Sequence, residues 1–185
     1  MGAHSCIAFP PGAVFGERWI AIGARTLIGP HVSLSVGMPG EPIDGGTEPV
    51  VVIGDRCNIG RGSSIIGRCR IEIDDDVTIG PNVYVTDHNH TYADLDVPIA
   101  RQWPAEAPVQ IGTGSWLGAG VIVLPGASIG RNVTVAAGSV VRGDIPDYSV
   151  IAGAPARVVR RHDGSAWVPP IPPQVIRAPE GWVNR

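Results

Sequence analysis

An aliphatic residue recurs at every sixth position through most of this chain, often with glycine directly after it. The longest unbroken run is Ile111, Leu117, Val123, Ile129, Val135 and Val141. Another runs through Ile53, Ile59 and Ile65, slips by two residues at Ile71–Ile73, and continues through Ile79 and Val85. A shorter one is Ile22, Ile28 and Leu34. Four residues after many of these stands a small or β-branched residue, among them Cys57, Ser63, Cys69, Val77, Val83, Ser115, Val121, Ala127, Val133 and Ser139. A period of six fits neither an amphipathic helix nor a simple alternating strand. It predicts short strands joined by tight corners, three sides to a coil of about 18 residues. Each coil then stacks on the last at about 4.8 Å in parallel ladders. The aliphatic residue fills the prism, the small one fits the corner, and the glycine tolerates the turn. A β-sandwich, with turn signals about every 8–12 residues, would not keep this strict period.

Composition agrees with a packed, turn-rich fold. Gly (25) and Pro (18) are abundant, yet 44% of the 185 residues are hydrophobic, which argues against disorder. The net charge of −3 and the lack of a basic run argue against a nucleic-acid partner. Every basic residue is arginine, so any lysine role must fall to Arg or be lost. Cys6, Cys57 and Cys69 give no disulfide framework and no CxxC zinc motif. Cys57 and Cys69 fall on different faces of the prism and read as inert thiols. No signal peptide or apolar span is evident, so a cytoplasmic protein without a membrane span is expected.

Along the chain, residues 1–19 read as a loose leader and 20–34 as a first coil. Residues 36–49 read as an inserted loop, 50–86 as about two coils, and 87–108 as a second loop. Residues 109–144 read as two regular coils and 145–161 as the close of a single domain spanning 1–161. The proline-rich tail, 162–185, is expected to lie extended and not to continue a ladder. Loops that interrupt a solenoid usually carry its binding groups, so 87–108 is the first place to seek chemistry. It holds His88 and His90. Histidine suits proton transfer near neutral pH, although in a polar loop it is more often a solvated or anchoring residue.

The repeat, SWLGAG at 115–120, AAGSVVRGDIP at 136–146 and AGAPARVVR at 152–160 together resemble the hexapeptide-repeat acetyltransferases over roughly residues 50–161. The resemblance is in particular to the maltose, galactoside and related sugar O-acetyltransferases. The resemblance implies an all-β, left-handed parallel β-helix and a homotrimer with its sites between subunits. It also implies acetyl-CoA as donor and a hydroxyl- or amine-bearing small molecule or carbohydrate as acceptor. His90 lies seven residues beyond the Ile79–Val83 corner, where the family carries its general base; His88 is the nearby alternative, and Asp87 is a candidate to orient the ring. By the same resemblance, Trp116 is the aromatic that follows the loop. The Ala119 N–H faces the thioester carbonyl, and Ala137 contacts the pantetheine arm. Arg157 and Arg160 lie near the CoA phosphates. The family often has Thr-Lys where this chain has Arg142-Gly143, so by the resemblance Arg142 would serve a CoA phosphate one place earlier than that Lys. Ser63, Ser64, Tyr84, Asp94 and Trp103 are weaker candidates for acceptor contact. Direct transfer is expected, since neither a G-x-S-x-G motif nor a reactive-cysteine context occurs.

Two rival functions belong to other classes. A gamma-type carbonic anhydrase would need a third histidine beside His88 and His90, from His4, His31 or His162, and no metal is expected here. A non-catalytic β-helix would keep the repeat only as a platform. The sequence does not encode the identity of the acceptor.

Overall fold

A computed structural model describes residues 1–37 and 47–170. The chain winds as a three-faced left-handed parallel β-helix. One face stacks Cys6–Ile7, Leu27–Ile28, Asn58–Ile59, Thr78–Ile79, Trp116–Leu117, Thr134–Val135 and Ser149–Gly153. The second stacks Val14–Phe15, Ser33–Val36, Ser64–Gly67, Tyr84–Thr86, Ile122–Val123 and Val140–Val141, and the third Ile20–Ile22, Val51–Ile53, Ile71–Ile73, Val109–Ile111, Ser128–Ile129 and Asp144–Ile145. Within each face these rungs pair in parallel, as in Thr78↔Trp116 and Trp116↔Thr134.

The six-residue period is the inward direction of the prism. Ile59, Ile65, Ile79, Leu117, Ile129 and Val135 are at most 2% exposed. The second column fills the corners, and its serines serve the backbone there. Ser115 Oγ donates to Gly130 O (2.9 Å) and accepts from Val133 N–H (3.0 Å); Ser63 does the same with Gly80 O and Val83 N–H, each at 3.1 Å. The glycine after the aliphatic residue is required by close approach. A Cβ on Gly118 would lie 2.6 Å from Ala137 N. Cys69 departs from its column, being half-buried in the turn that absorbs the two-residue slip.

Two expectations are corrected. Residues 1–19 are not loose: Cys6–Ile7 and Val14–Phe15 each add a parallel rung, and Trp19 is buried beneath them. Their side chains lack the repeat, but the ladder is built from backbone groups, such as Gly2 N–H to Ile22 O (2.7 Å) and Gly12 N–H to Val32 O (3.0 Å). The start of the tail does continue a sheet. Ala156–His162 returns antiparallel along Ser149–Gly153, and Trp167–Val168 pairs antiparallel with Arg161–His162. The turn between them is closed by the Asp163 carboxylate, which accepts from Ser165 and Ala166 N–H, each at 2.8 Å. Among the described residues the last paired one is Val168, just before Pro169. The middle of the 36–49 insertion and tail residues 171–185 lie outside the described residues. No helix among the described residues is long and apolar enough to cross a membrane.

Candidate active site

The loop over 87–108 leaves the second face after Tyr84–Thr86 and closes on itself through an antiparallel pair, His88–Asn89 with Ala105–Glu106. Its root is Asp87, fully buried. The Asp87 carboxylate accepts from three successive backbone N–H groups, Arg68, Cys69 and Arg70, all at 2.8 Å. His88 Nδ1 lies 3.1 Å from Asp87 Oδ1 and 3.1 Å from Thr86 Oγ1. Burial alone would raise the Asp87 pKa; the hydrogen bonds from His88 and the three N–H groups outweigh it and hold the carboxyl below the usual range. An ionised carboxylate can only accept, so Nδ1 carries the proton of a neutral His88 ring. Nε2 is then the basic nitrogen. Asp87 therefore orients His88, not His90 as the sequence suggested. The His90 ring is exposed, and its only hydrogen bond among the described residues runs from its backbone N–H to Asn89 Oδ1 (3.0 Å).

Both histidines line one cleft of about 320 Å³, walled also by Arg68, Tyr84, Arg101 and Trp103. Ser63 and Asp94 do not line it. Ser63 is buried in its corner, and the Asp94 carboxylate accepts from Asp96 N–H at 3.0 Å. Ser64 is a rung residue paired beside Tyr84.

Trp116, Ala119, Ala137, Arg142, Arg157 and Arg160 stand elsewhere on the chain. Trp116 is half-exposed on the first face, in register between Thr78 and Thr134. Ala119 and Ala137 stack on one corner, tied by Gly138 N–H to Ala119 O (2.9 Å). The next corner residue in that stack is Pro81, whose carbonyl accepts from Gly120 N–H (2.9 Å). The Ala119 and Ala137 N–H groups make no hydrogen bond among the described residues. Equivalent N–H groups at another corner are capped, Ala24 by Asp55 Oδ1 (2.7 Å) and Arg131 by Asp147 Oδ1 (3.0 Å). Arg142 leaves the second face, and Arg157 and Arg160 lie on the returning strand. Arg160 Nε is buried without a hydrogen-bond partner among the described residues. Nor do the described residues bring together three or more His, Cys, Asp or Glu side chains able to hold a metal ion.

Comparison with known proteins places this architecture. A model of the bacterial transferase hexapeptide (six repeats) matches residues 108–143, and one of the hexapeptide repeat of succinyl-transferase matches residues 50–87. A probable acetyltransferase of Mycobacterium tuberculosis is 36% identical over 143 residues, covering 77% of this chain and 42% of that protein. The galactoside O-acetyltransferase of Escherichia coli is 36% identical over 120 residues, covering 61% of this chain and 59% of that protein. This chain carries the hexapeptide repeats that those models describe and is similar to hexapeptide-repeat acetyltransferases. A solved structure of similar fold, a hexapeptide-repeat-containing acetyltransferase of Vibrio cholerae complexed with acetyl-CoA, is 25% identical with a TM-score of 0.59, covering 87% of this chain and 69% of that one. The chain spans about half the length of the curated relatives it matches.

The family pattern did not point to Thr86, Arg68, Arg101 or Gln102, which shape the cleft. Register held the signal for Arg68. Tyr84 pairs with Ser64, so the chain leaving the second face at 87–88 lies beside 67–68 one rung earlier. Arg101 and Gln102 left no such trace, because irregular loop geometry placed them.

Proposed function

We propose that this chain transfers acetyl from acetyl-CoA to a hydroxyl of a sugar or related small molecule, with His88 as general base. The observation that carries the reading is the His88 imidazole, tied at Nδ1 by buried Asp87 with Nε2 left for the cleft. Asp87 is the positioning residue, since it fixes the tautomer and acts only through His88. The acceptor hydroxyl gives its proton to Nε2 as its oxygen attacks the thioester carbonyl carbon. The tetrahedral intermediate collapses, the C–S bond breaks, and CoA leaves as a thiolate that takes up the proton from the imidazolium. General-base assistance of this kind contributes about 10²–10⁴-fold.

The uncapped Ala119 N–H is the candidate oxyanion donor, fixed by the rungs on either side and needing no reorganisation. Ala137, one coil on, suits the amide groups of the pantetheine arm. Arg157, Arg160 and Arg142 suit its phosphates. These groups do not line the histidine cleft of their own chain. A homotrimer, in which the corner of one copy faces the loop of the next, would join them. The acetyl-CoA complex of the Vibrio cholerae relative and the name of the galactoside relative support donor and acceptor class.

The test is free-thiol release from acetyl-CoA across an acceptor panel. His88→Ala should lower kcat by about 100-fold or more while circular dichroism and CoA binding stay unchanged. A normal His88→Ala beside an inactive His90→Ala would move the base to His90.

A further inference from the structure

The cleft also constrains what kind of acceptor it admits. Its lining among the described residues holds two guanidinium groups, two imidazoles and two aromatic rings, and no carboxylate. The two cations differ in state. Arg68 Nε lies 2.9 Å from Glu106 Oε1, and its guanidinium sits 5.0 Å from the centre of the Trp103 ring. That charge is balanced in place, and its role is to hold the indole. Arg101 is exposed and has no ion-pair partner among the described residues.

The backbone beneath Arg101 is fixed. Arg101 ends the 3-10 turn Ile99–Arg101. Its neighbour Gln102 donates through Nε2 to Asp94 O and Val97 O, each at 2.8 Å, and accepts from Asp94 N–H (3.2 Å). One residue further on, Thr91 Oγ1 donates to Trp103 O (2.7 Å). The loop thus pins the two residues that follow a cation with no carboxylate partner among the described residues, beside flat ring faces: Trp103 is 69% exposed and Tyr84 40%. A neutral ligand gains little from such a charge, whereas an anionic one gains a charge-assisted hydrogen bond and a favourable field.

We propose that the acceptor is a ring-bearing molecule that carries an anionic group, a phosphate or a carboxylate, which Arg101 binds while Trp103 covers the ring. That the ligand is an acceptor rests on the acetyl-transfer reading; that it is anionic does not.

The experiment compares glucose, glucuronate and glucose 1-phosphate on the full chain, by calorimetry and by thiol release from acetyl-CoA. At least one charged sugar should bind about tenfold or more tightly than glucose, the scale of a charge-assisted hydrogen bond. Which one it is tells carboxylate from phosphate. Arg101→Gln should bring the ratio to within about twofold of unity, Arg101→Lys should keep much of the preference, and high salt should weaken it. Equal binding of glucose, no binding of either charged sugar, or a preference that survives Arg101→Gln overturns the proposal. Tight binding of a charged sugar with no thiol release would sink acetyl transfer and leave an anion-binding cleft standing.

Discussion

Asp87 carries more structure than any other single residue near the site. It closes the 68–70 turn, roots the 87–108 loop and fixes His88. An amide in its place keeps the shape but turns one acceptor into a donor, so it cannot receive all these protons. Asp87→Asn should cost about 2–4 kcal/mol in urea denaturation at pH 7, the scale of several buried groups left unpaired. Its pH dependence has a definite sign. The folded carboxyl titrates below its unfolded value of about 3.9, so its stabilisation is full above that pH and is lost as pH falls through the folded pKa. Denaturation of wild type and Asp87→Asn from pH 6 to 2.5 should therefore converge, and curves that stay parallel would show that the charge of Asp87 does not stabilise the fold. The same carboxylate affects Cys69. Burial first, and the Asp87 charge second, push that thiol up to about 11, and burial also raises Cys57. Iodoacetamide at pH 8 should label exposed Cys6 well before either, by peptide mass mapping.

At the scale of the element, each rung is only a few residues long and holds its place through its neighbours. An inward aliphatic residue meets the coils on both sides, so Leu117→Ala, fully buried, should cost about 2–5 kcal/mol, read by the guanidinium midpoint. The corner is less forgiving. Gly118→Ala sets a methyl group 2.6 Å from Ala137 N, and backbone cannot rotate away as a side chain can. The variant should lose stability comparably to Leu117→Ala. It should also weaken CoA binding, because it disturbs the stack carrying the Ala119 and Ala137 N–H groups. A variant as stable as wild type would mean that the coils separate more readily than their packing suggests.

The described coils form a one-dimensional stack, in which each rung pairs with its neighbours on the same face. Amide hydrogen exchange should then be slowest in the central coils, about residues 59–141, and fastest in the first coil and the returning hairpin, since end coils have a neighbour on one side only. The Ala119–Ala137 corner does not line the histidine cleft of its own chain, so on the proposed reading transfer activity should follow assembly. Sedimentation equilibrium should give three chains, and dilution below the assembly range should lose activity in step with mass; a fully active monomer would overturn the shared site.

Much of this was present in the chain as written. The six-residue period fixes which residues point inward, because a side that turns every six residues returns the same position to the core on each coil. The repeats at Ile53–Val85 and Ile111–Val141 therefore map directly onto the prism. The Cys6–Ile7 and Val14–Phe15 rungs and the Trp167–Val168 strand escaped that reading because backbone hydrogen bonds, which leave no side-chain pattern, built them. The site divides in the same way. The loop and its two histidines stand out in sequence as a break in the repeat. Asp87 touches its neighbour His88, but what buries and orients Asp87 is the 68–70 turn, 17–19 positions away on the adjacent rung, so which histidine is held was decided only in three dimensions. Which cation faces the cleft without an ion-pair partner among the described residues was set by an irregular loop that no period describes.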